Sequence, residues 1–435
     1  MNHANRARLL TLFFFSVALA PSAEAAPPAP SGELAYRWNA LALDGVRARS
    51  LVDAAAARSY AMMNVAMYDA VWGIQIHFAG RRAHALVPPN GAPANGDIAA
   101  AAAQAAHDVL VALFPELAAA ADAQLASDLA ALDTGAGRVQ AGVSWGAEVA
   151  RQVLAARAND GSSPNETQPG GFGPGQFRAD WSNTQFRNLA PFAIANPAVY
   201  VGSGPPPLGS VDYAAALAEV RVLGNQALPD ADKLATFQFW NLPGGTDQPP
   251  GAWLQIVAVV GSARALPLTQ ATRLGALVTM AMADTVAPTY QTKFQFHAWR
   301  PTTAIREADT DGNPSTDPDP AWTARAGAVG GTPESWSGHS SFSAAAGAVL
   351  AGFFCTDKIP FSFASDSAPG GQVRSYPGFS AAVAEAGRSR VMGGIHFQFS
   401  NLAGLSAGRA VAGEILAGKL LLLTSGPTHF GACPL

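Results

Sequence analysis

Charge is scarce in this chain. Only 13% of its 435 residues are Asp, Glu, Lys or Arg, 49% are hydrophobic, and the formal net charge at pH 7 is −4. That composition excludes a disordered chain, which needs few apolar residues and strong self-repulsion. The small net charge also excludes the basic field that grips a polyanionic backbone, so nucleic acid is not an expected partner. Long apolar runs are missing too. The run from Leu9 to Ala20 is too short for the ~20 residues a membrane span needs, and the C-terminal Leu-rich stretch is broken by Glu414 and Lys419. No membrane span is expected. The 43 Gly and 32 Pro follow no collagen period, and alternating β-branched runs are nearly absent. Cysteine is limited to Cys355 and Cys433, which either form one bridge or stay as buried thiols.

Arg6 and Arg8 precede that short apolar run and Ala23-Glu24-Ala25 follows it, the pattern of an export signal over residues 1–25. The mature chain would begin near Ala26 and work in the periplasm or outside the cell. Ala-rich segments at 47–77, 98–132 and 138–158 read as helices, the first apolar around most of its circumference and therefore inside a bundle. Pro115 separates two helices within the second segment. Residues 159–210 shift to Gly, Pro, Asn and Ser and read as a surface excursion or boundary. Helical pattern resumes at 212–225, 230–240, 251–263, 270–293, 340–354 and 402–423, with Pro301 closing the fourth of these. The expectation is an all-α protein of helical bundles: an N-terminal region, 26–210, and a C-terminal domain, 211–435.

Three short elements carry chemistry. Lys293 and Arg300 are seven residues apart, which on one helix would put both side chains on one face, with Arg300 at an end frayed by Pro301. Ser337-Gly338-His339 stands before a small-residue helix, where a hydroxyl and unpaired N–H groups suit an anion. Ser389-Arg390 is followed by Gly393-Gly394, which breaks any helix and lets His396 turn inward. Taken singly these are a solvated face, a capping segment and a core histidine. Taken together, three cations, a helix-start Ser-Gly and two histidines describe a pocket for a tetrahedral oxyanion.

The order and spacing of these elements resemble the signature of the vanadium haloperoxidase and type 2 phosphatidic acid phosphatase superfamily. The likeness is to its soluble exported bacterial branch related to vanadium chloroperoxidases, and it extends to Ala61 through Ala70, Phe239-Trp240 and Ala308 through Pro314. The resemblance implies a helical-bundle fold and one of two chemistries. In a haloperoxidase, His396 would coordinate vanadium as the metal-binding residue. Lys293, Arg300, Arg390, Ser337 and Gly338 would hold the vanadate oxygens, and His339 would act as acid and base while hydrogen peroxide oxidises halide. In an acid phosphatase, His396 would attack a phosphate ester to form a phosphohistidine, His339 would protonate the leaving group, and no cofactor would be needed. The missing spans and the long helical N-terminal region favour the haloperoxidase. A homo-oligomer is compatible with the family, although no exposed stripe marks an interface.

The sequence departs from the family at three points. Trp336 replaces the usual Pro before Ser-Gly-His. Ser400 stands where an Asp four residues after the histidine is usual, and a hydroxyl orients an imidazole without enriching it. This is the one feature that favours a third reading, a non-catalytic oxyanion-binding helical protein. Thr332, five residues before Ser337, leaves halide preference unreadable. His297 falls between Lys293 and Arg300, either as a third titrating group or as a surface neighbour of Lys293. Asp309, Asp311 and Asn313 fit Asx turns better than a calcium loop, because position twelve is Pro320.

Overall fold

The computed structural model describes residues 31–76 and 83–420. The segment read as an export signal, His77, His429 and Cys433 lie outside the described residues. The α-helices run α1 (Glu33–Arg49), α2 (Asp53–Gln75), α3 (Ile98–Leu113), α4 (Ala118–Ala130), α5 (Ala136–Ala156), α6 (Val211–Leu223) and α7 (Ala231–Phe239). They continue as α8 (Gln248–Ala263), α9 (Leu268–Asp284), α10 (Val286–Phe296), α11 (Pro301–Arg306), α12 (Gly338–Phe354), α13 (Phe379–Met392) and α14 (Gln398–Gly418). Among the described residues, sheet is confined to two antiparallel pairs, β1 (Thr167–Gln168) with β2 (Trp181–Ser182) and β3 (Phe361–Ala364) with β4 (Val373–Tyr376). The architecture is all-α, and among the described residues no helix is long and apolar enough to cross a membrane.

Three helices, α2 and the consecutive α9 and α10, form the axis of the bundle because their sequences have no continuous polar face. Every residue of α2 from Ser59 to Val71 is buried, as is every residue from Ala271 in α9 to Tyr290 in α10. Around them α1, α3, α5, α8 and α12 contribute to one continuous core, so the segments on either side of residue 210 share it. A second, smaller core gathers Tyr213, Leu217, Phe237, Trp299, Trp322, Val391 and Phe397.

Four expectations about boundaries are corrected. The helix read at 47–77 is the end of α1 and the whole of α2, separated by Ser50 in the left-handed conformation (φ 48°). The segment read at 270–293 is two helices that meet at Thr285. Pro301 opens α11 at its first position rather than closing the helix before it, since its missing N–H and fixed φ suit a helix start. Finally, α1 and α13 were not foreseen as helices.

Close approach of α12 and α14 sets the geometry of the site. A Cβ on Gly404 would lie 2.6 Å from the Ser337 carbonyl oxygen, so only glycine lets α14 press against the start of α12. Gly394, at φ 75°, turns the chain between α13 and α14 and delivers His396 to the same place.

Candidate active site

The predicted residues converge although they do not share a helix. Lys293 lies in the last turn of α10, which ends when His297 adopts φ 44°. The chain then runs extended, and Arg300 caps the start of α11. The single-helix geometry expected for Lys293 and Arg300 is therefore wrong, yet both side chains are buried against the same loop. Lys293 Nζ donates to the Pro333 carbonyl and, at 3.5 Å, to that of Glu334. Arg300 donates to the Thr332 carbonyl (2.7 Å) and hydroxyl (3.2 Å), to the Ile395 carbonyl and to His396 Nε2 (3.0 Å). Thr332, silent about halide in the sequence, thus anchors a guanidinium.

Arg390 closes the cluster from α13. It donates to the Trp240 carbonyl (3.1 Å) and Asn241 Oδ1 (3.4 Å), and its guanidinium lies 5.1 Å from the Phe237 ring centroid. Its Nε is buried with no hydrogen-bond partner among the described residues. Ser337 caps α12, accepting from the Ser340 N–H at 3.3 Å, so its own hydroxyl proton can point elsewhere. Gly338 is the first helical residue, and its N–H has no acceptor inside the helix.

The charges of these residues interact. Burial, then Arg300, Lys293, Arg390 and His339, holds the His396 imidazole far below its usual pKa, so the ring is neutral. Burial and then Arg390 do the same to His339. Arg390 itself is lowered to about 9 by burial and by Arg300. Lys293 is lowered well below its usual value by burial and then by Arg300. Cations crowded so closely that each disfavours the charge of the next are stabilised by a multiply charged anion. Buried guanidinium, ammonium and helix-start N–H groups, with one buried Arg390 Nε lacking an acceptor, fit a tetrahedral oxyanion such as vanadate or phosphate.

His339 is half-buried, and its Nε2 lies 3.0 Å from the Asn241 carbonyl oxygen. A carbonyl only accepts, so the ring proton sits on Nε2 and Nδ1 is the basic atom. His297 does not join the site. Its ring packs edge-on against Phe177 at 6.0 Å, and burial alone lowers its pKa. Asp311 and Asn313 form the expected Asx turns, accepting from the Asn313 N–H at 2.7 Å and the Ser315 N–H at 3.0 Å.

Three participants were not foreseen. Glu334, fully buried, accepts from His396 Nδ1 (3.0 Å) and from the Phe397 N–H (2.9 Å), and burial raises its pKa against the pull of Arg300. Asn241 links His339 to Arg390. Asp53, at the start of α2, accepts from the Tyr290 hydroxyl at 3.2 Å and lies 3.2 Å from where a Cβ on Gly338 would stand. One signal for Glu334 was present in the sequence: it is the single carboxylate between Asp319 and Asp357, three residues before Ser337.

The fold resembles those of solved bacterial vanadium-dependent peroxidases. It is similar to the crystal structure of a bacterial vanadium-dependent iodoperoxidase, with a TM-score of 0.75 and 19% identity over 93% of this chain and 100% of that one. It is also similar to the holo form of a bacterial vanadium-dependent chloroperoxidase, with a TM-score of 0.61 and 16% identity over 84% and 91%. No curated protein matches the sequence. Residues 273–420 match the family model of the VCPO second helical-bundle domain, the segment that contains every site residue predicted from the sequence. The motifs read in the sequence lie inside the matched segment, and the solved structures share the fold.

Proposed function

We propose that this protein is an exported vanadium-dependent haloperoxidase. The observation that carries the reading is the convergence of three buried cations on one neutral imidazole, with a buried Arg390 Nε lacking an acceptor. When bound, vanadate supplies an electrophilic centre at which hydrogen peroxide is activated to oxidise halide. His396 would bind it through Nε2, the ring atom that here accepts from Arg300, so that contact would yield to the ligand. Lys293, Arg300, Arg390, the Ser337 hydroxyl and the Gly338 N–H would hold its oxygens and spread their charge. His339 would take a proton at Nδ1 from incoming peroxide and return it, a role suited to a ring that burial and then its cationic neighbours keep neutral.

The test is purified protein stripped of anions, then supplied with orthovanadate, hydrogen peroxide and iodide, bromide or chloride in turn. Halide oxidation that depends on vanadate and is suppressed by phosphate is expected. Hydrolysis of a chromogenic phosphate ester without halide oxidation would instead make it a phosphatase, and neither activity would make it a binding protein. Export predicts a mature N-terminus near Ala26, read by sequencing the secreted or periplasmic protein.

A further inference from the structure

His396 is held at both ring nitrogens. Arginine only donates, so Nε2 carries the lone pair facing Arg300 and the ring proton sits on Nδ1. That proton has two neighbours, Glu334 Oε1 at 3.0 Å and Ser400 Oγ at 3.3 Å. The two differ in what they can offer. Ser400 has one hydroxyl proton, and it is donated to the Glu334 carbonyl at 3.0 Å, so toward Nδ1 it is at most a weak acceptor. Glu334 Oε1 also takes the N–H of Phe397, the residue after His396, and so fixes ring and backbone with one atom.

Glu334 is itself firmly placed. Its N–H donates to the Ala298 carbonyl at 2.9 Å, and its carbonyl accepts from Ser400 and Lys293. Its Oε2 lies 3.7 Å from Arg300 Nη1. Beyond it, Tyr213, Trp299 and Phe397 line a void of only about 20 Å³, so bulk solvent does not reach the carboxylate from that side.

We propose that Glu334 is the positioning residue of His396. Its carboxylate fixes the Nδ1–H tautomer, aims Nε2 into the cation cluster and enriches the imidazole as an electron donor. Ser400 stands where the family usually has Asp, and it serves the backbone of Glu334 instead. The carboxylate has not been lost from the site; it arrives from the loop before α12. This removes the one sequence feature that favoured a non-catalytic protein. The proposal rests on His396 being the imidazole that binds vanadate.

The test compares wild type, Glu334→Gln, and the double variant Glu334→Gln with Ser400→Asp. Glutamine keeps an oxygen for the Phe397 N–H and removes only the charge. Calorimetric titration with orthovanadate is expected to give binding about 10- to 100-fold weaker for Glu334→Gln. The double variant should recover most of that loss, because residue 400 already reaches Nδ1. A purely structural Glu334 would lower the melting temperature without rescue by Ser400→Asp. Nitrogen-15 NMR of ligand-free wild type should show the Nδ1–H tautomer of His396, and the opposite tautomer would refute the role of Glu334 even where a variant fails to fold. Equal vanadate affinity in wild type and Glu334→Gln, or a predominant Nε2–H tautomer in wild type, overturns the proposal. Wild type that binds no vanadate overturns the reading of the site instead, and the tautomer still judges Glu334.

Discussion

Asp284 and Arg390 are both buried charges on helices that face loops, yet they are satisfied in opposite ways. The Asp284 carboxylate accepts from three successive N–H groups, those of Phe192 (2.6 Å), Ala193 (2.7 Å) and Ile194 (2.9 Å). It pins the Gly/Pro-rich excursion to the end of α9. Asp69 does the same on α2 for Ala85, Leu86 and Val87. Burial raises both carboxyls to about 6, with the N–H groups pulling the other way. Arg390 has carbonyl and amide partners on one side only and sits among other cations. Asp284 and Asp69 are caged by backbone N–H groups, whereas Arg390 keeps a buried Nε that no acceptor among the described residues reaches.

The largest effect should come from opening a cage. Asp284→Ala leaves three buried N–H groups without an acceptor and should destabilise the fold by about 4 kcal/mol in denaturant unfolding. Its effect on anion affinity should be negligible. Arg390→Ala should do the reverse. It removes a charged donor from the cluster and should weaken vanadate binding by about 100-fold, while unfolding of the ligand-free protein changes little because a mutually repelling cation has gone. A loss of stability in Arg390→Ala equal to that in Asp284→Ala would erase the distinction.

Asp247 sharpens the comparison as a buried carboxyl that is incompletely caged. It accepts from Gln255 at 2.6 Å, but its Oδ1 has no partner, and burial, then Asp366, raises its pKa to about 8. Unfolded, the group would ionise near the ordinary carboxyl value of about 4, so the unfolded chain gives up its proton first as pH rises. The group therefore costs stability progressively between those two values and no more above the higher one. Asp247→Asn removes the titration, and its stability relative to wild type should grow steadily from pH 4 to pH 8 in paired denaturant melts.

Much of the site was legible because its cations and imidazoles sit in short motifs of fixed internal spacing, and the helices were legible where alanine dominates. What escaped depended on contacts distant in sequence. Glu334 lies in a loop with no periodicity, and its partner is 62 residues further on. The end of α10 was hidden because a histidine, not glycine, takes the left-handed position there. In α1, charges at Glu33, Arg37, Asp44, Arg47 and Arg49 interrupt the apolar pattern, and several of them are matched only by the folded chain, as Arg37 is by Asp128 at 2.7 Å.

The central claim is that these buried cations and His396 form one oxyanion site. Calorimetric titration of anion-free protein with orthovanadate measures it most directly. One vanadate should bind per chain, displaced by phosphate and lost in His396→Ala at unchanged helix content. No binding, or binding that His396→Ala leaves intact, would contradict it.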